Sequence, residues 1–184
     1  MTMFLRGFTL IELLIALAIF GFLIMLAGPQ LAAFMGNSQI RNATDAMLNG
    51  VQHAQATAVR NNTLARLVVD TAAGTGGWQV FQTIDGTESA TPVQIYAYQD
   101  GAPKTLVTTV PGDARQITFD GFGRVVPNVD ASATLTCIKV TNPNVSTPRR
   151  LNVAISNSGL NVVTKLCDPD AAATEPQACP AACS

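Results

Sequence analysis

The sequence predicts an α+β chain: a long N-terminal α-helix whose first half is transmembrane, packed by its second half on an antiparallel β-sheet head. Three observations carry this. Residues 8–28 form an apolar run, residues 40–58 repeat apolar side chains every three or four positions, and the remainder breaks into short β-type runs separated by Gly, Pro and Asp.

The run from Phe8 to Gly28, FTLIELLIALAIFGFLIMLAG, holds twenty-one residues, of which only Thr9 and Glu12 are polar. A helix of that length rises about 31 Å and crosses the hydrocarbon core of a bilayer. Arg6 is the single basic residue before it, so the positive-inside rule keeps the N-terminus cytoplasmic and sends the rest of the chain outward. Glu12 separates this segment from a plain anchor or a cleaved secretory signal. A carboxylate in an apolar helix costs roughly 2.5–3.5 kcal/mol near the centre of a membrane, less toward its edge, and marks a function with a cationic partner. No Lys, Arg or His occurs between Arg6 and Arg41, so that cation has to be an α-amino group made by cleavage. Cutting after Gly7 frees the amine of Phe8, four residues before Glu12, the spacing at which helix neighbours meet.

Pro29 closes the apolar run and can bend the helix by removing a backbone hydrogen bond. Beyond it Ile40, Ala43, Met47, Val51, Ala54 and Ala58 fall on one face, and Arg41, Asp45, Asn49, Gln52 and Arg60 lie opposite. Asn61-Asn62 then supplies a stop. Residues 8 to about 60 read as one helix of roughly 80 Å. It is too long to bury in a head of this size, so its first half protrudes.

The β-type runs begin at Thr63, Trp78, Val93, Gln116, Leu135, Leu151 and Leu160. Their alternation implies an antiparallel sheet with one covered face, and the helix half from Ile40 to Ala58 is the available cover. Residues 70–77 and 155–160 read as hairpin connections, the second a tight turn through Asn157-Ser158-Gly159. The sheet region spans 63–167. Residues 168–184 form a tail with few large apolar side chains, which only covalent staples would hold. Cys137, Cys167, Cys179 and Cys183 lie on the exported side, where two disulfides persist. All three pairings stay open, including a small loop closed by Cys179 and Cys183.

Composition narrows the function. With 48% hydrophobic and 12% charged residues the chain is not disordered, and a net charge of −1 gives no global field for nucleic acid or anionic lipid. Any such contact needs a local patch. Arg149-Arg150 with Lys139 and Lys165 is the candidate, against a plainer reading as a solvated edge that discourages strand pairing. His53 is the only histidine and no nucleophile motif accompanies it. Gly74–Gly77 leads into a β-type run and not a helix, so it is no phosphate loop. Three residues separate Cys179 from Cys183, the wrong spacing for C-x-x-C redox chemistry, and no histidine stands near the cysteines for zinc. No catalytic residue, metal or cofactor is expected.

Two motifs are recognisable. Arg6-Gly7-Phe8-Thr9-Leu10-Ile11-Glu12 resembles the class III signal of type IV pilins and type II secretion pseudopilins. The resemblance implies a type IV pilin fold, cleavage after Gly7 by a prepilin peptidase, N-methylation of Phe8, and Glu12 as the acidic residue at the fifth mature position that serves filament assembly. It divides the chain into a leader 1–7, a transmembrane and filament-core helix 8–30, and a head 31–184. It places the subunit in the inner membrane as a single pass with the head in the periplasm, before the helix packs with other subunits in a filament. Pro29 stands where the family often has a helix-bending proline. In the head, Ile117-Thr118-Phe119-Asp120-Gly121-Phe122-Gly123-Arg124-Val125 is similar to the F-x-x-x-G-R strand and turn of the minor pilins and pseudopilins called GspH/FimT, and Arg150–Gly159 is similar to a second stretch. Leu160 follows Gly159 where DNA-binding members carry an arginine, which weakens a DNA-receptor role. The implied function is structural: a minor pilin in assembly or initiation of a type IV pilus. The alternatives are a minor pseudopilin of type II secretion and a filament-displayed DNA-binding subunit.

Overall fold

The computed structural model describes residues 8–71, 76–97, 99–159 and 161–184. Its first element is the helix α1, Leu10–Asn61, of 52 residues. It starts two residues later than the apolar run because Thr9 caps it, the Thr9 hydroxyl accepting from the Glu12 N–H at 3.3 Å. It ends at Asn62, whose φ of 49° is left-handed and whose N–H reaches back to the carbonyls of Ala58 and Val59. The helix runs through Gly28-Pro29 as one element.

The two halves of α1 live in different surroundings. From Leu10 to Met35 the large apolar side chains are exposed, Phe20 at 61% and Phe34 at 72%. Ile40, Ala43, Met47, Val51, Ala54 and Ala58, the face picked out by its periodicity, are each no more than 1% exposed. A helix apolar all round needs a surrounding apolar phase, whereas the amphipathic half is satisfied by its own head.

The head comprises β1 (Ala65–Val69), β2 (Trp78–Ile84), β3 (Thr87–Glu88), β4 (Gln94–Tyr96), β5 (Leu106–Val110), β6 (Gln116–Phe119), β7 (Val125–Val126), β8 (Cys137–Thr141), β9 (Leu151–Asn157) and β10 (Val162–Cys167). Where the strand alternation suggested one covered sheet, there are two. One runs β3-β2-β1-β6-β7 with β4 also on β2, and the other runs β10-β9-β8-β5. The division follows from β5, which pairs with β8 from Leu106↔Thr141 to Val110↔Cys137 and so gives the second half of the chain a sheet of its own. A short link joins them: the Leu135 N–H donates to the Gln116 carbonyl and the Ile155 N–H to the Thr136 carbonyl, each at 2.9 Å. α1 packs on both sheets, against β1, β2 and β6 of the first and β8, β9 and β10 of the second.

The tail is held more richly than staples alone. Disulfides join Cys137 to Cys183 and Cys167 to Cys179, so Cys179 and Cys183 do not close a loop on each other. Lys139 Nζ donates to the Ser184 carbonyl at 2.7 Å and Lys165 Nζ to the Ala178 carbonyl at 3.2 Å. Asn152 Nδ2 donates to the Cys183 carbonyl at 2.6 Å, and Arg150 pairs with Asp170. The candidate basic patch is thereby corrected. Three of its four members are turned onto the tail, because the tail's own carbonyls and carboxylate are the nearest acceptors.

Candidate assembly interface

Two features of the sequence pointed to function, the N-terminal signal and the glycine-arginine turn, and they sit at opposite ends of α1. At the first, Phe8 is 81% exposed and Leu10 77%, and Glu12 lies in the first turn of the helix. No ion pair involves Glu12 among the described residues. Gly7 and Arg6 lie outside the described residues, so the scissile bond itself is not seen. The backbone of Pro29 lies in the helix between this end and the head.

At the other end the turn between β6 and β7 closes on the C-terminus of α1. Phe119 is fully buried. Asp120 then organises the turn: its carboxylate accepts from the N–H of Phe122 and of Arg124, each at 2.9 Å, and from Arg124 Nε at 2.9 Å. Desolvation pushes the Asp120 carboxyl upward, but the Arg124 N–H, the Arg124 side chain and the Phe122 N–H together hold it below the usual carboxylate range. Its contribution to the turn is therefore present at neutral pH and is lost as pH falls through that lowered value. Gln55 Nε2 donates to the Gly123 carbonyl at 3.0 Å. A Cβ on Gly121 would stand 3.0 Å from the backbone of Asn62, the residue that ends α1, so only glycine lets the turn approach this closely. The motif is a clamp on the helix end. What it leaves outward is Phe122, 79% exposed with the Arg124 guanidinium 5.0 Å above its ring.

The remaining candidates resolve into structure. In the tight turn after β9 the Gly159 N–H donates to Asn157 Oδ1 at 2.9 Å, and Leu160 lies outside the described residues. His53 Nδ1 is 3.4 Å from Thr57 Oγ1, and its ring is 6.5 Å from that of Trp78. The sulfurs of Cys167, Cys179 and Cys183 gather within 4.8 Å, but the two disulfides consume the thiolates a metal would need. The clamp carried no sequence signal beyond the motif itself, because Gln55 reads as one more polar residue on a solvated helix face.

The family model described as type II transport protein GspH matches residues 43–159, and the prokaryotic N-terminal methylation motif matches residues 6–28. No curated protein matches the sequence. Among solved structures, the type IV minor pilin FimU of Pseudomonas aeruginosa shares the fold with a TM-score of 0.50 at 14% identity, over 72% of this chain and 92% of that one. A second crystal form of FimU aligns with a TM-score of 0.46 at 13% identity, over 68% and 91%. The long helix half sunk in an antiparallel head is the type IV pilin fold, and the chain belongs to the GspH family of minor pilins and pseudopilins.

Proposed function

We propose that this chain is a minor pilin that takes part in assembling or initiating a type IV pilus, and that its work is packing, without catalysis. The observation that carries the reading is the methylation motif at the head of a helix whose first half is exposed and apolar while its second half is sealed in the head. Such a subunit is satisfied only in lipid or among other helices. Prepilin peptidase cuts between Gly7 and Phe8 on the cytoplasmic side and the Phe8 amine is methylated. Residues 8–30 hold the subunit in the inner membrane with the head, 31–184, in the periplasm, and Pro29 lets the helix bend as it leaves the bilayer for the filament. Intact-mass analysis of the membrane-extracted chain checks the first step. It should give a chain beginning at methylated Phe8, and a terminus near residues 28–36 would indicate an ordinary signal peptide instead.

Glu12 is the docking residue. A carboxylate left unpaired among apolar helices is penalised, and the charged amine of a neighbouring Phe8 or its equivalent supplies the counter-charge, which fixes register as the helix enters. Glu12→Ala should leave processing and membrane level intact and reduce the subunit severalfold in sheared filament fractions; equal incorporation would mean that helix packing alone recruits it. The description of the matched family favours a second reading, a minor pseudopilin of type II secretion. The sheared fractions separate the two. A pilus subunit travels with pili, whereas a pseudopilin is missing from them and its deletion stops the export of secreted proteins.

A further inference from the structure

We infer that the groove between α1 and the membrane-facing end of the second sheet docks the headgroup of an anionic phospholipid, and so seats the head on the outer leaflet of the bilayer that the helix crosses. The inference rests on the membrane-spanning reading of α1 given above. The groove measures about 500 Å³, and its lining includes the apolar Phe34, Leu151 and Leu166 and the basic Arg41 and Arg149.

Length places this groove at the membrane surface. Exposed apolar side chains continue past Gly28 through Leu31, Phe34 and Met35, at 60%, 72% and 55%. From Leu10, where α1 begins, to Met35 the helix rises about 38 Å, against a hydrocarbon core of roughly 30 Å. The last turns therefore stand in the headgroup layer. The head begins immediately above. The Arg149 N–H donates to Asn37 Oδ1 at 3.0 Å, Asn142 Nδ2 donates to the Gly36 carbonyl at 3.5 Å, and Val145 packs on Gly36 where a side chain would otherwise stand. The loop 142–149 is thus a collar fixed at residues 36 and 37, and it holds Arg149 at that height.

Charge then names the ligand. Arg149 makes no ion pair among the described residues. Arg41 has Asp45 at 3.9 Å, with 75% and 53% of the two side chains exposed, an open pair that holds its arginine weakly. Asp45 also lies one helical turn farther from the bilayer. Two guanidiniums and one loosely held carboxylate leave the groove net positive, and guanidinium takes phosphate oxygens in pairs. The acyl chains of a lipid held there run down past Phe34 and Leu31, which gives those exposed side chains a cover. Before assembly no neighbouring helix covers Leu31 and Phe34, so in the membrane one lipid answers both the arginines and the apolar strip, where an acidic side chain alone would answer only the arginines.

The test reconstitutes the full-length chain in vesicles of phosphatidylcholine alone and of phosphatidylcholine with phosphatidylglycerol, carrying a photo-crosslinking residue at Ser38 in the groove or, separately, at Leu17 in mid-span. Ser38 should capture phosphatidylglycerol in the mixed vesicles. Capture should fall roughly fivefold for Arg41→Gln and again for Arg149→Gln, and should persist in the Lys variants. Leu17 should capture lipid in both vesicles whatever stands at 41 and 149. Lipid capture at Leu17 with no preference for the anionic lipid at Ser38, with no response to the arginines, or with a second copy of the chain captured at Ser38, overturns the docking site alone. No lipid capture at Leu17 overturns the spanning reading, and the docking site with it.

Discussion

Phe119→Ala should destabilise the head by about 3–5 kcal/mol, the range for emptying a fully buried aromatic position. Arg124→Ala, five residues beyond Phe119 in the same motif, should cost under about 1 kcal/mol, as exposed ion pairs do. The contrast follows from where the two side chains stand. Phe119 has no exposed surface and belongs to the core that Ile40, Met47 and Val51 share with both sheets, whereas 45% of the Arg124 side chain is open to solvent. Urea unfolding of the detergent-solubilised chain reads both effects through Trp78, the only tryptophan, which is 6% exposed in the head. If Arg124→Ala proved as damaging as Phe119→Ala, the turn would owe its grip on the helix to the ion pair and not to the buried strand and the glycine approach.

Removing the bond between Cys137 and Cys183 should be of similar size. It closes a loop of 46 residues, for which chain entropy gives about 4 kcal/mol, while the Cys167–Cys179 bond, with a separation of 12, gives about 3 kcal/mol. The paired substitution Cys137→Ala with Cys183→Ala should lower the unfolding midpoint by more than the other pair does. It should also release the C-terminal residues to protease, because the bonds from Lys139 and Asn152 lose the segment they hold. Thiol titration of the denatured, unreduced wild-type chain should find no free cysteine, and two free thiols would remove the covalent part of this account.

What could be read from the sequence was what has a local period. The spacing of Ile40, Ala43, Met47, Val51, Ala54 and Ala58 is set by the helix alone, and those are the side chains that turn inward. Thr9 and Asn62 mark the ends of α1 within two residues of expectation, since caps are chosen by neighbours along the chain. β5 was missed because two of the five residues in Leu106-Val-Thr-Thr-Val are threonine and its reason to be a strand is the open edge of β8, whose partners lie 27 to 35 residues away in sequence. The second sheet went with it. The tail's polar attachments were equally hidden, because a lysine that meets a backbone carbonyl leaves no pattern in sequence. At the candidate site the motif residues were found but their task was not. The approach of Gly121 to Asn62 and the bond from Gln55 to Gly123, 68 residues apart, exist only once the chain has folded back on its own helix.

The collar at Gly36 and the clamp at Asn62 bracket the whole length over which α1 is sunk in the head, and this has a mechanical consequence. A pull on the exposed half enters the head as shear along about 27 Å of buried helix between Ile40 and Ala58, where the two sheets share the load in parallel. Neither sheet is peeled strand by strand, since the force runs along the helix and not across a single hydrogen-bonded edge. The β6–β7 turn grips the far end of the helix, so that drawing α1 out along its exposed half would have to drag Asn62 away from Gly121 and Gln55 from Gly123 while the buried apolar contacts slip at once.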